Sequence, residues 1–296
     1  MTTTGDEVKA GERRLGLLLC APAAIFMLLV AGWPIVYSVL LSFQRYDLRF
    51  PDDSGWIGLG NYVTVLTNEF WWNAFGVTVL VTVISVAIEL VLGMAFAVVM
   101  YRTLVGRGTV RTVLLIPYGI VTVVAAFGWL YAWTPATGWL AAMLPEGTAP
   151  LTQQWPAIAI IILAEVWKTT PFMALLLLAG LALVPDELLR AASMDGASRW
   201  QRFTKITLPL MRPAIAVALL FRTLDAFRIY DNIYVLTGGA QNTGSVSIIT
   251  YTNLVSGLNL GIGSTMSVLI FISVALIAFV FIKLLNTSAP NMGGRR

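Results

Sequence analysis

Six stretches of this chain are each long and apolar enough to cross a bilayer, and that pattern limits the fold before any motif is considered. A spanning helix needs about 20 mostly apolar residues. Residues 15–41, 75–101, 110–133, 156–184, 208–236 and 262–285 meet that requirement. In hydrocarbon every backbone polar group must find its partner within the protein, so such runs fold as helices. The predicted fold class is an all-α membrane protein with six transmembrane helices. Composition agrees: 58% of the 296 residues are hydrophobic and 11% charged, against about 25% charged in soluble domains. Pro22, Pro34, Pro117 and Pro171 lie inside spans one, three and four and are expected to kink them. The first span is too long for a signal peptide, and no small-residue cleavage site follows it.

Lysine and arginine in the short loops set the orientation. Lys9, Arg13 and Arg14 precede span one, and Arg102, Arg107 and Arg111 separate spans two and three. Arg190, Arg199, Arg202, Lys205 and Arg212 separate spans four and five, and Lys283, Arg295 and Arg296 close the chain. The opposite loops hold only Arg45 and Arg49. Both termini are therefore expected in the cytoplasm, with tails at 1–14 and 287–296 flanking a membrane domain at 15–286. Outside, residues 42–74 carry Trp56, Tyr62, Trp71 and Trp72, expected at headgroup level. A short interfacial helix is predicted at 59–66, a small hairpin around Trp139 and Leu140, and a turn-rich loop at 237–245. This pattern places the protein in a cell membrane as a multi-pass chain. Its solvent is the lipid bilayer, and nothing in the pattern calls for nucleic acid.

The chain has no histidine, which removes His-ligated metal, His general bases and His-based pH switching. The single cysteine, Cys20, lies among apolar residues and reads as a buried thiol. No Gly-rich phosphate loop ending in Gly-Lys-Ser/Thr appears, nor an HExxH, CxxC or nucleophile-elbow pattern. No metal site and no catalytic residues are predicted, which leaves transport without catalysis.

Between spans four and five lies the most specific segment, ELLRAASMDGASRWQRFTKITLPLMRP, residues 187–213. Pro185, Asp186 and Glu187 suit a helix start. Leu188, Ala191 and Ala192 share one face, and the alanines leave that face shallow enough to enter a partner's groove. Gly196 permits a sharp turn, and a second short helix is predicted from about 198 to 206. Ala191-Ala192, then Gly196, then Ile206-Thr207-Leu208-Pro209, with the flanking Glu187, Leu188, Asp195 and Ala197, resembles the cytoplasmic loop of permease subunits of binding-protein-dependent ABC importers. That family's pattern has a glutamate where Arg190 stands, so any ion pair made there is in doubt.

The segment FRIYDNIYVLTGGAQNT, residues 227–243, is similar to the carbohydrate-importing, maltose-permease-like branch. In overall character the sequence is most similar to permeases of actinobacterial trehalose importers. The resemblance implies half of an alternating-access pathway for a sugar, such as the disaccharide trehalose, in a bacterial cell membrane. It implies a loop at 185–207 that docks an ATPase dimer, with ATP and Mg bound by that partner and no cofactor in this chain. It also implies a second, different permease subunit and an extracytoplasmic sugar-binding protein.

Seven ionisable residues fall inside predicted spans: Glu89, Glu165, Lys168, Arg222, Asp225, Arg228 and Asp231. Each is costly in hydrocarbon and faces a partner or a wet cavity. Two readings stand: side chains that line a solute path, or charges that tie helices together. Glu89 and Arg222 are read as a tie, and Arg228 and Asp231, with Asp225 near the midplane, as pathway. Glu165 and Lys168, three residues apart and able to pair, fit either; Lys168 is grouped with the pathway and Glu165 with the ties. Trp167, Phe227, Tyr230 and Tyr234 would offer ring faces to a sugar. Ion-coupled secondary transport through these carboxylates is the main competing function, although no inverted repeat supports it. A membrane enzyme would need a catalytic cluster that the chain lacks.

Overall fold

The computed structural model describes residues 15, 18–103, 106–145 and 147–288. The tails at 1–14 and 289–296, with Lys9, Arg13, Arg14, Arg295 and Arg296, lie outside the described residues. The chain divides into two compact units, 1–67 with 253–268, and 68–252 with 269–296.

In the first unit, α1 (Leu18–Ser42) is the first predicted span. A π turn at Leu28–Gly32 precedes Pro34, so the proline enters a fresh helical segment instead of breaking one. Cys20, read as buried from its neighbours, is exposed on α1. A two-stranded antiparallel hairpin follows, β1 (Gln44–Arg45) with β2 (Gly55–Trp56), which departs from the all-helical expectation. Helix α2 (Gly60–Leu66) forms where a short helix is predicted. Its buried Asn61 donates to the carbonyls of Ser42 and Gln44, 2.9 and 2.8 Å away, and so satisfies the end of α1. Asp47 bonds Arg49 at 2.6 Å and accepts from Asn259 at 3.3 Å, beside a backbone bridge between 47 and 259.

The second unit is built on α3 (Glu69–Arg102) and α6 (Gln154–Leu181). The spanning window of α6 is 72% buried, against 39% for α3, so α6 is the central element. Between them come α4 (Arg107–Gly119) and α5 (Thr122–Trp133). After α6 follow α7 (Asp186–Met194), α8 (Arg199–Leu210), α9 (Arg212–Ala226), α10 (Asp231–Leu236) and α11 (Val246–Tyr251). Helix α12 (Leu260–Ser288) begins in the first unit and ends in the second. Among the described residues four helices, α1, α3, α6 and α12, are each long and apolar enough to cross a membrane; α4 with α5, and α8 with α9, meet that test only as pairs, bent by 86° and 66° at their breaks.

Glycine allows the close helix packing that lipid-embedded interfaces use. A Cβ on Gly93 of α3 would stand 2.8 Å from Met173 Cγ of α6, and one on Gly180 of α6 would overlap the Ala214 side chain of α9. One apolar cluster gathers Val81, Ile161, Ile162 and Ile233, another Ala97, Met173, Leu177 and Ala218.

Several expectations change. Trp71, expected at headgroup level, lies within α3 at 3% exposure and packs on Phe75. Around Trp139 and Leu140 there is a turn leading into a 3-10 segment, not a hairpin. Span three does not kink at Pro117 but breaks at Ile120 and Val121, past the end of α4. Span five is interrupted at Met211 and again between Ala226 and Asp231, so its charges do not wind around one continuous helix. Pro171 leaves α6 unbroken.

Candidate functional site

At the boundary of the two apolar clusters lies a buried ion cluster. Arg222 of α9 is fully buried, as is Glu89 of α3. Its guanidinium donates to Glu89 through Nε at 2.5 Å and Nη2 at 3.0 Å, to Glu165 of α6 through Nη2 at 2.6 Å, and to Asp225 through Nη1 at 2.8 Å. Thr169 donates to Glu89 at 2.8 Å, and Asn232 of α10 donates to Glu165 at 2.5 Å. One guanidinium thus joins three helices, and every buried carboxylate has a further neutral donor, as low-dielectric burial requires.

The structure does not pair Glu165 with Lys168. Lys168 instead donates to the backbone carbonyls of Ile120 at 2.7 Å and Tyr118 at 3.4 Å. These carbonyls are freed where α4 stops, and an ammonium with three donors suits a helix C-terminus. Tyr118 stacks on Phe172, with ring centroids 5.4 Å apart. The second interruption, at 227–230, is satisfied in the same manner. Buried Ser245 donates to the Ile229 carbonyl at 2.8 Å, and Thr78 accepts from the Val246 amide at 3.0 Å.

A cavity of about 580 Å³ opens where the two breaks face α6. Lys168, Asp225, Arg228, Tyr230 and Asp231 line it together with Glu165, Thr169, Asn232 and Tyr118. Lys168, Asp225, Arg228, Tyr230 and Asp231, all read as pathway, therefore meet in one place. Phe227 does not: it is 3% exposed and packs edge-on against Phe75. Trp167 packs on Trp129 and also stands outside the cavity. Glu165, grouped with the ties, is both tie and lining. Tyr230, Tyr234 and Tyr251 form an aromatic cluster with centroids 5.2–5.8 Å apart. Sequence reading missed Asn232, Thr169, Thr78 and Ser245, which carry no charge; the first three are polar residues within apolar runs, while Ser245 closes the polar loop at 237–245. The cavity offers carboxylate, amide and guanidinium groups beside aromatic rings, the chemistry that holds a polyhydroxylated solute.

The second site is the loop between α6 and α9. No residue of α7 is buried. Glu187, Leu188, Arg190, Ala191, Asp195 and Gly196 are exposed, while Ala192 and Ala197 are half-buried. Gly196 adopts φ +80°, Ala197 donates to the Ala192 carbonyl at 2.9 Å and Gly196 to that of Ser193 at 3.2 Å. This is a Schellman termination, which needs glycine at that position. Two residues on, Ser198 and Gln201 form a capping box that starts α8. Arg202 donates to the Leu189 carbonyl at 3.3 Å, and Tyr101 at the end of α3 donates to Asp186 at 3.3 Å. The loop is thus a rigid, capped pair of helices with a bare outer face. Among the described residues Arg190 makes no ion pair, with Glu187 or otherwise.

Residues 89–289 match the family described as "binding-protein-dependent transport system inner membrane component". Over 282 residues, 95% of this chain and 92% of the relative, the sequence is 63% identical to the trehalose transport system permease protein SugA of Mycobacterium tuberculosis. It is 39% identical over 287 residues to the trehalose/maltose transport system permease protein MalF of Thermococcus litoralis, covering 94% and 96% of the two chains. Among solved structures, a chain of a bacterial ABC transporter involved in the import of the acidic polysaccharide alginate superposes with a TM-score of 0.80 at 23% identity, covering 95% of this chain and 98% of that one. At that identity the likeness speaks for the fold. Matched over two thirds of its length and closely related to named permeases, the chain belongs to the family of binding-protein-dependent transport system inner membrane components.

Proposed function

We propose that this chain is one permease subunit of an ATP-driven importer and forms half of the path for a sugar, a disaccharide such as trehalose. It is a transport subunit, not an enzyme. The 63% identity to a trehalose permease across nearly the whole chain carries the choice of cargo. Membership in the family displaces ion-coupled secondary transport, the function that the intramembrane carboxylates had left in competition.

In this reading the chain has six spans, counting each bent pair as one, with both termini in the cytoplasm of a bacterial cell and the boundaries set out from sequence. The loop at 185–207 docks an ATPase dimer, which holds ATP and Mg. A second, different permease completes the path, and an extracytoplasmic binding protein delivers the sugar. The geometry suggests how force travels. The loop joins α6, which carries Glu165 and Lys168, directly to α8 and α9, which carry Arg222. Ten residues of α9 separate Arg212 from Arg222, about 15 Å at helical rise. A push on the bare face of α7 moves both helices as one body, because Arg222 holds them together at the level of the cavity. The cavity at the two helix breaks then opens to one side or the other. Asp225, Arg228, Asp231 and Asn232 would bond sugar hydroxyls, and Tyr230 would cover a ring face.

The test is co-purification of the tagged assembly in mild detergent, wild type against Ala191→Glu combined with Gly196→Trp. The expected result is that an ATPase and a second permease accompany the wild type and that the variant loses the ATPase alone. A wild type that purifies without partners, or a variant that keeps all of them, overturns the coupling assignment. Uptake of labelled trehalose into vesicles holding the assembly, with other disaccharides as competitors, tests the cargo.

A further inference from the structure

Next to the ion cluster, α3 and α9 diverge and leave an open apolar groove of about 1040 Å³. Leu90, Met94 and Val98 of α3 face Ile215, Ala216 and Leu219 of α9 across it. Arg102, Arg199 and Arg212 stand in its lining at the end nearest the loop, beside Trp200, which is 71% exposed. A second, polar cavity of about 370 Å³ shares Arg102 and Arg199 with the groove and adds Arg202. Among the described residues the side chains of Arg102, Arg199 and Arg212 have no hydrogen-bond or ion-pair partner, and the Nε of Arg202 is buried without one.

We propose that the groove holds one anionic diacyl phospholipid, its acyl chains along α3 and α9 and its phosphate in the adjoining cavity on Arg102, Arg199 and Arg202. Two observations choose this occupant. The first is charge: four arginines converge with no carboxylate among the lining residues of either cavity, and basic pockets between membrane helices bind anionic headgroups. An exposed tryptophan beside them is the residue found at headgroup level. The second is depth. From Leu90 to Arg102 is about 18 Å at helical rise, close to one leaflet of a hydrocarbon core about 30 Å thick. A helix from another subunit would cross both leaflets, but this groove ends at Leu90 and Leu219, where Glu89 and Arg222 close the space between the helices. The proposal rests on the chain being membrane-embedded and not on the identity of its cargo.

The test uses the intact assembly, delipidated and titrated with phosphatidylglycerol or phosphatidylcholine of matched acyl chains, with bound lipid counted by native mass spectrometry. Each arginine near an anionic headgroup contributes about a five-fold factor in affinity. The expected result is preferential retention of phosphatidylglycerol by the wild type. Arg102→Gln, Arg199→Gln and Arg202→Gln together should weaken its binding about 100-fold and weaken that of zwitterionic phosphatidylcholine less, so that the preference is lost. Ala216→Trp, which fills the groove, should reduce both lipids, and glycerol phosphate without acyl chains should not compete. Equal retention of the two lipids, a triple variant that keeps the preference, or competition by glycerol phosphate overturns the proposal. Should the triple variant not assemble, a photoreactive residue at position 216 of the otherwise unchanged chain decides: a lipid adduct supports the site, and an adduct to another subunit refutes it.

Discussion

Replacing Arg222 by methionine should be far more damaging than neutralising either of its buried acidic partners. Three charges are deeply placed: one guanidinium, and the carboxylates of Glu89 and Glu165, with side-chain exposures of 0%, 0% and 10%. Asp225, the third partner, is 67% exposed and its bond has the small value of a surface pair, about 0–1 kcal/mol. With Arg222→Met, two buried carboxylates face each other with only Thr169 and Asn232 as donors. Breaking a buried pair in this way costs about 3–5 kcal/mol. With Glu89→Gln, by contrast, Arg222 and Glu165 remain as one balanced pair, and Gln still accepts one bond. That variant should cost about 1 kcal/mol, the value of a neutral hydrogen bond. At roughly 2–4 °C per kcal/mol, the two should lower the melting temperature of the assembly by about 6–20 °C and 2–4 °C respectively. Intrinsic fluorescence of the ten tryptophans during heating in mild detergent reads both. Adding Glu89→Gln and Glu165→Gln to Arg222→Met should recover most of the loss. Equal costs for the two single variants, or an Arg222→Met protein that melts within 2 °C of wild type, would refute the charge count.

Two further outcomes follow from packing and from the outer loop. Gly180→Ala should destabilise by about 1–3 kcal/mol through overpacking against Ala214. Gly93→Ala should cost less, because the Met173 side chain it meets can move, and the same melting assay ranks the two. The Asp47 carboxyl is held down at about 2 from an ordinary 3.8, chiefly by its hydrogen bond from the Arg49 side chain. A group whose folded pKa is depressed contributes stability above its unfolded pKa and loses it as pH falls through the folded value. The melting difference between wild type and Asp47→Asn should therefore stay flat from neutral pH to about 4 and shrink only below that; shrinkage already at pH 6 would show that another group is titrating.

Hydropathy made the membrane helices legible because bilayer thickness acts on length and polarity alone. Helices α1, α3, α6 and α12 all fall where the apolar stretches lie, with ends displaced by up to six residues at Glu69 of α3. The loop was equally legible: Gly196, Ser198 and Gln201 announce a Schellman end and a capping box through local chemistry. The interruption at 227–230 was not. The residues Phe227, Arg228, Ile229 and Tyr230 include no glycine or proline, and the break persists because Ser245, sixteen residues away, supplies a donor to Ile229.

The same cause misdirected the pairing of Glu165 and Lys168. Spacing along α6 puts them within reach of each other, yet each has a better partner on another element, Arg222 for the glutamate and freed backbone carbonyls for the lysine. A backbone carbonyl released by a helix break has no side-chain signature, so no reading of residue types finds it. This bears on function as much as on fold. The cavity lies where the breaks at 120–121 and 227–230 face α6, and the carbonyls freed at those breaks are met by Lys168 and Ser245. Loss of the Lys168 ammonium would leave the Ile120 carbonyl without its donor, and α4 would then be free to straighten into the cavity.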